Sequence, residues 1–158
     1  MREEFGITPK IAWQLDPFGH SSGFAALLAE MGFEATFFSR MNHEEAAALA
    51  LERDLEFVWQ PDFYDTDSSD TQNRKSIFAH KLYDKYGPPD FWANILDYSE
   101  GKLQFEYQDT FAANWFQHFD AQTKAYRTKN VLILYGNDFT HVHAENTYSV
   151  LNKIIDGL

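Results

Sequence analysis

Two carboxylates, Asp16 and Asp138, stand in matching surroundings near opposite ends of the chain. Each follows an apolar run and precedes an aromatic: Leu15-Asp16-Pro17-Phe18 at one end, Gly136-Asn137-Asp138-Phe139 at the other. If both runs are strands of one parallel sheet, the two acids emerge on the same rim and face each other across a cleft. Such a pair can divide attack on an electrophilic carbon from delivery of a proton. Glycoside hydrolysis works by this division: one carboxylate attacks the anomeric carbon or activates water there, and the other protonates the leaving oxygen. Arg40 closes a third apolar run. It is either a surface arginine near a helix start or a guanidinium held beside the carboxylates, answering their charge or binding a substrate hydroxyl.

The elements that must position these groups follow from the pattern around them. Lys10 to Leu15 reads as a buried strand, and Pro17, which has no N–H to give a neighbour, and Gly19 turn the chain. The helical run Phe24 to Met31 can be N-capped by Ser21 or Ser22 and C-capped by Gly32. Asp16 therefore sits at the carboxyl end of a strand that feeds a helix, where α/β proteins keep their chemistry. On pattern alone it is equally a turn starter before proline. Phe18 and His20, larger than a simple turn requires, and the matching second site weigh against that reading.

Ala35 to Phe38 is a second strand ending in Ser39-Arg40, Asn42 to about Arg53 a helix, and Leu55 to Trp59 a third strand closed by Gln60-Pro61. Alternation with short connections predicts βα units and a parallel sheet, so the fold class is α/β. Residues 110–129 carry Phe111, Trp115, Phe116 and Phe119 at helical spacing, read as a core face. This helix leads into Asn130 to Tyr135, an almost continuous apolar run of the kind buried on both faces of a parallel sheet. A last helical pattern has Tyr148, Leu151, Ile154 and Ile155 on it.

Other segments carry weaker signals. Asp65, Asp67 and Asp70 lie in a polar stretch that lacks the glycine and terminal glutamate of an EF-hand, so it reads as a solvated loop. His141-Val142-His143 looks like a metal pair, but at i and i+2 the two rings cannot face one ion from a helix. His80 reads as a surface or hydrogen-bonded histidine. Tyr86, before Gly87-Pro88-Pro89, reads as packing beside a rigid turn. Residues 90–109 are irregular and contribute no site residue.

Composition bounds the possibilities. With 158 residues, 44% of them hydrophobic, and 15 Phe, 8 Tyr and 4 Trp, the chain has core material for one domain. Thirteen basic against 24 acidic residues, a formal charge of −11, argue against a nucleic-acid partner. No apolar run approaches membrane-spanning length. The chain has no cysteine and no Asn-x-Ser/Thr acceptor, which leaves the compartment open.

Several blocks, in order along the chain, resemble the class II α-mannosidases of glycoside hydrolase family 38. They are Pro9 to Ser21, Met31 to Arg40, Leu55 to Trp59, Tyr86 to Pro89, and Tyr126-Arg127-Thr128 through Tyr135 to Phe139. The resemblance implies part of a seven-stranded parallel (β/α) barrel, with residues 1–158 as a single partial catalytic domain lacking the barrel's opening and closing strands. It implies retaining hydrolysis of α-mannosidic bonds in glycans, with Asp16 as nucleophile and Asp138 as general acid/base. Phe18 would be an aromatic wall for the sugar, Arg40 an active-site arginine, and Tyr86 part of the sugar-binding wall. Asp16 would also bind a zinc ion, Zn2+, whose other ligands, a His-x-Asp pair and a later histidine, are expected outside this chain. The expected partners are an α-mannoside glycan and the rest of the parent enzyme, in the lysosome or secretory pathway.

Two positions depart from the resemblance. Gln14 stands where relatives tend to have histidine, and Asn137 where some carry a second acid, which would leave Asp138 as the only proton donor. A metal-dependent carbohydrate deacetylase on a similar barrel, with His20 or His143 as a ligand, is the alternative chemistry. An inactive fragment or pseudoenzyme is the alternative to any chemistry.

Overall fold

The computed structural model describes residues 2–61, 75–87, 89, 96–97, 102–103, 108–138 and 144–157. The polar stretch with Asp65, Asp67 and Asp70, and the His141 and His143 pair, lie outside the described residues. The chain divides into two compact units: Met1–Lys85 with Lys124–Lys129, and Tyr86–Thr123 with Asn130–Leu158.

In the first unit the order is α1 (Arg2–Phe5), β1 (Ile11–Gln14), α2 (Ser22–Glu30), β2 (Ala35–Phe38), α3 (His43–Glu52), β3 (Glu56–Trp59) and β4 (Ile77–Lys81). The strands form one sheet in the order β1-β2-β4-β3. β1 and β2 run parallel with Gln14 beside Phe38, and β2 and β4 run parallel with Phe38 beside Lys81. β3 runs antiparallel to β4, with Glu56 beside His80. The sheet is therefore mixed, which corrects the expectation that all three sequence-read strands would be parallel. A strand's residue pattern is the same in either direction, and an edge strand can reverse without burying unpaired backbone.

Local chemistry sets the ends of the helices. The Ser21 hydroxyl accepts from the Phe24 N–H at 3.2 Å and caps α2. At its other end Gly32 takes φ 87°, and the Gly32 and Phe33 N–H groups return to the Ala29 and Leu28 carbonyls. That is a Schellman closure, and Phe33 packs on the cluster containing Leu28 that the closure brings beneath it. Asn42 caps α3 by accepting from the Glu44 and Glu45 N–H groups. The α3 terminus has the same closure with Arg53 in the left-handed region at φ 63°, a conformation costing a side chain about 1–2 kcal/mol. The Arg53 Nε donates to the Tyr126 carbonyl at 2.9 Å and helps to hold it there.

One sheet face is covered by α2. Ala12 and Ile77 meet Ala25, Leu28 and Ala29, and the small alanine side chains let helix and sheet approach closely. On the other face a row of rings runs across the strands: Trp13 to Phe37 at 5.8 Å, Phe37 to His80 at 4.7 Å, and His80 to Tyr126 at 5.1 Å. Tyr126 is fully buried beside Leu55 and Ala125, and its hydroxyl donates to the Lys81 carbonyl at 3.0 Å.

The second unit holds a short antiparallel pair, β5 (Leu96–Asp97) with β6 (Lys102–Leu103), and the helices α4 (Gln108–Lys124) and α5 (Ala144–Gly157). The apolar run 130–135 is not a strand. A strand needs a neighbour to take up its backbone groups, and within the described residues the Leu132 carbonyl instead accepts from the Gln122 side chain at 3.2 Å. The expected core face of α4 is also partial. Trp115 is buried and its ring meets Phe119 edge-on at 4.6 Å, whereas Phe116 is exposed. Among the described residues no helix is long and apolar enough to cross a membrane.

Candidate functional site

Because β1, β2 and β4 are parallel, their carboxyl ends share one rim of the sheet. Asp16 lies two residues past β1 and Arg40 two residues past β2. Arg40 Nε donates to Asp16 Oδ1 at 2.7 Å, and Nη2 donates to the same oxygen. The guanidinium carbon stands 4.1 Å from the centroid of the Phe18 ring. Phe18 is 87% exposed, and the Asp16 and Arg40 side chains are 52% and 41% exposed. An ion pair this open to water contributes at most about 1 kcal/mol to folding. The arrangement presents a carboxylate, a cation and an aromatic face together to solvent.

Gly19, at φ 140°, bends the turn after β1 so that His20 lies back against the sheet. The His20 Nε2 donates to the Arg40 backbone carbonyl at 3.1 Å, and the ring rests 4.6 Å from Phe38. Burial pushes His20 below its ordinary pKa, with the Arg40 carbonyl opposing, so the ring is held toward its neutral form. A carbonyl only accepts, so Nε2 carries the proton and Nδ1 a lone pair. Gln14 Oε1 is placed 3.4 Å from Nδ1; since two acceptors do not bond, a half-turn of the amide puts its NH2 group on that lone pair.

The other predicted residues belong to the second unit. The Tyr86 hydroxyl donates to Asp138 Oδ2 at 3.5 Å, so Tyr86, read from pattern as packing, has its polar end on the carboxylate. The Asp138 N–H donates to Asn137 Oδ1 at 2.9 Å, a local turn contact that occupies the amide oxygen. Asp138 is exposed. Asp16, Phe18 and Arg40 are thus brought together in one unit, and Tyr86 and Asp138 in the other. Since residues 130–135 form no strand, Asp138 does not end one, which corrects the expectation of two matching strand termini.

Zinc is tested by its donor set. Among the described residues no three His, Cys, Asp or Glu side chains cluster as metal ligands. The site offers one carboxylate, with arginine on one of its oxygens, and zinc needs about four ligands. The residues present do not hold the ion by themselves. Both His20 nitrogens face protein groups, so the ligand that a deacetylase would require of it is absent, and His143 lies outside the described residues.

Sequence reasoning missed β4 and its buried polar residues. His80 Nδ1 donates to Glu56 Oε1 at 2.9 Å, and burial pushes its pKa down against the opposing Glu56 interaction. Lys81 is buried with its ammonium on the Leu82 carbonyl, and burial lowers its pKa while Asp84 opposes. The segment Ile77-Phe78-Ala79-His80-Lys81-Leu82 carries a strand signal only if His80 and Lys81 count as interior positions, and composition does not show that.

The Glycosyl hydrolases family 38 N-terminal domain matches residues 1–157. An alpha-mannosidase of Arabidopsis thaliana is 33% identical over 98% of this chain, a lysosomal alpha-mannosidase of Dictyostelium discoideum 30% identical over 97%, and one of Cavia porcellus 30% identical over 93%. In each case the match covers 15% of the relative's own length. The resemblance carried by Asp16-Pro17-Phe18-Gly19 and the later blocks thus extends over nearly the whole chain, which belongs to glycosyl hydrolase family 38.

Proposed function

We propose that this chain forms part of the catalytic domain of a retaining α-mannosidase that acts on mannoside glycans, with residues 1–158 one portion of a (β/α) barrel whose other strands lie elsewhere in a longer protein. Asp16 attacks the anomeric carbon, and the bond to the leaving oxygen breaks as Asp138 protonates that oxygen. Water then cleaves the glycosyl ester, giving its proton to Asp138 and releasing Asp16 as carboxylate. Arg40 holds the Asp16 carboxylate in place, Phe18 offers its exposed ring to the sugar, and Tyr86 orients Asp138. The observation that carries the reading is the Asp16, Arg40 and Phe18 constellation at the carboxyl ends of parallel strands. Asp16 would also be one ligand of a zinc ion whose other ligands lie outside this chain, and that ion would supply Lewis-acid polarisation of sugar oxygens. The names of the lysosomal relatives support the lysosome or secretory pathway.

The test is release of p-nitrophenol from its α-mannoside by the parent enzyme and by its Asp16→Ala variant. Turnover should collapse in the variant, and undiminished turnover ends the assignment. A 2-deoxy-2-fluoro-mannosyl fluoride should leave a glycosyl ester on Asp16, which neither a deacetylase nor an inactive fold would form.

A further inference from the structure

We infer that His20 is a positioning residue of this site: donating from Nε2 to the Arg40 carbonyl, with Gln14 on Nδ1 and Phe38 beneath the ring, it fixes the turn after β2 and thereby the approach of the Arg40 guanidinium to Asp16. This rests on Asp16 and Arg40 being working groups of the site.

Arg40 lies beyond the last residue of β2, so the sheet ladder no longer dictates its backbone. A free arginine side chain carries about 2 kcal/mol of rotamer entropy, which an unanchored turn would add to rather than restrain. His20 joins this turn to the one that carries Asp16, across a separation of 20 residues. Its own supports are rigid. Phe38 is 3% exposed, and Gln14 is the final residue of β1 and lies in register with Phe38. The chain Gln14, His20, Arg40 carbonyl therefore passes the geometry of the sheet out to the guanidinium. The Arg40 carbonyl only accepts, which puts the proton on Nε2 and leaves Nδ1 a lone pair; the Gln14 amide beside it, turned so that NH2 faces the ring, donates to that lone pair. Burial of the ring, which disfavours its charged form, keeps Nδ1 an acceptor.

Three readouts test it. In 15N-histidine spectra of the protein, His20 should be the Nε2–H tautomer, and an Nδ1–H tautomer overturns the proposal. In His20→Phe, which keeps a ring on Phe38 and removes both nitrogens, the Arg40 Nε–H resonance should lose its hydrogen-bonded shift and exchange about tenfold faster with water. His20→Gln, whose amide can donate to the same carbonyl, should restore it. An Arg40 resonance unchanged in His20→Phe refutes the role. If His20→Phe does not fold, Gln14→Leu is read by the same resonance, where a shift supports the role and none refutes it. In the parent enzyme, His20→Phe should lower kcat for p-nitrophenyl α-mannoside about tenfold with KM changed less than about threefold, as displacement of a catalytic group does. A perturbed Arg40 resonance alongside a wild-type parent that turns over no mannoside would leave the positioning role standing and remove the mannosidase reading instead.

Discussion

Replacing Arg40 with lysine separates what this side chain does for the fold from what it does for the site. Lysine keeps the positive charge but loses the planar guanidinium that sets two N–H donors on Asp16 Oδ1 while its carbon lies 4.1 Å over Phe18. With the two side chains 41% and 52% exposed, the ion pair contributes about 0–1 kcal/mol, and the contact with the exposed Phe18 ring about 0.5–1 kcal/mol. Lysine retains part of each, so Arg40→Lys should lower stability by about 1 kcal/mol or less, a Tm shift of at most about 2–4 °C. Activity should respond very differently. A single ammonium cannot fix the orientation of the carboxylate, and misplacing a reacting group by about 1 Å costs on the order of 100-fold. The assay is kcat/KM for p-nitrophenyl α-mannoside in the parent enzyme, measured beside calorimetric Tm. A loss of about 100-fold, or roughly 2.7 kcal/mol of transition-state stabilisation, with Tm nearly unchanged is the expected pair of results. Activity within about threefold of wild type would show that the guanidinium does no more than decorate the rim. A large fall in Tm would show that its role is structural.

Two further outcomes concern His80 and Tyr126, the buried end of the ring row. Tyr126→Phe removes the hydroxyl that donates to the Lys81 carbonyl and lies 3.5 Å from His80 Nε2; it should cost about 1–2 kcal/mol, seen as an earlier denaturation midpoint with unchanged slope. Stability should also fall on acidification through His80. Burial depresses its pKa, with Glu56 opposing and Lys81 adding to the depression. Above about 6.5 the ring is neutral in both folded and unfolded chains, so its contribution is fully present. As pH falls below that value toward the depressed folded pKa, the unfolded chain takes up a proton that the folded one resists, and the contribution is lost. Denaturation midpoints at about pH 7.5 and about pH 5 should therefore differ less in His80→Gln than in wild type. An identical difference in both proteins would place the acid sensitivity elsewhere.

Much of the first unit was legible in the sequence because its signals are local. Ser21 or Ser22 could be read as the cap of α2, Gly32 as its end, and Ala35 to Phe38 as a strand, since each depends on the few residues around it. Asp16 and Arg40 could be placed just past strand ends for the same reason, and the structure joins them. The direction of β3, the existence of β4 and the fate of 130–135 could not be read this way. Each depends on which backbone stands alongside, and an apolar run carries the same pattern whether or not a neighbour pairs with it.

By itself, then, the sequence determined the chemical groups and the local turns that present them, because residue type and short-range hydrogen bonding suffice for both. Only the tertiary structure decided that Arg40, Phe18 and Asp16 converge, that His20 turns both nitrogens inward, and that Tyr86 reaches Asp138. Those contacts join residues 6 to 52 positions apart. All but the shortest arise from how strands and loops pack, which no local pattern encodes.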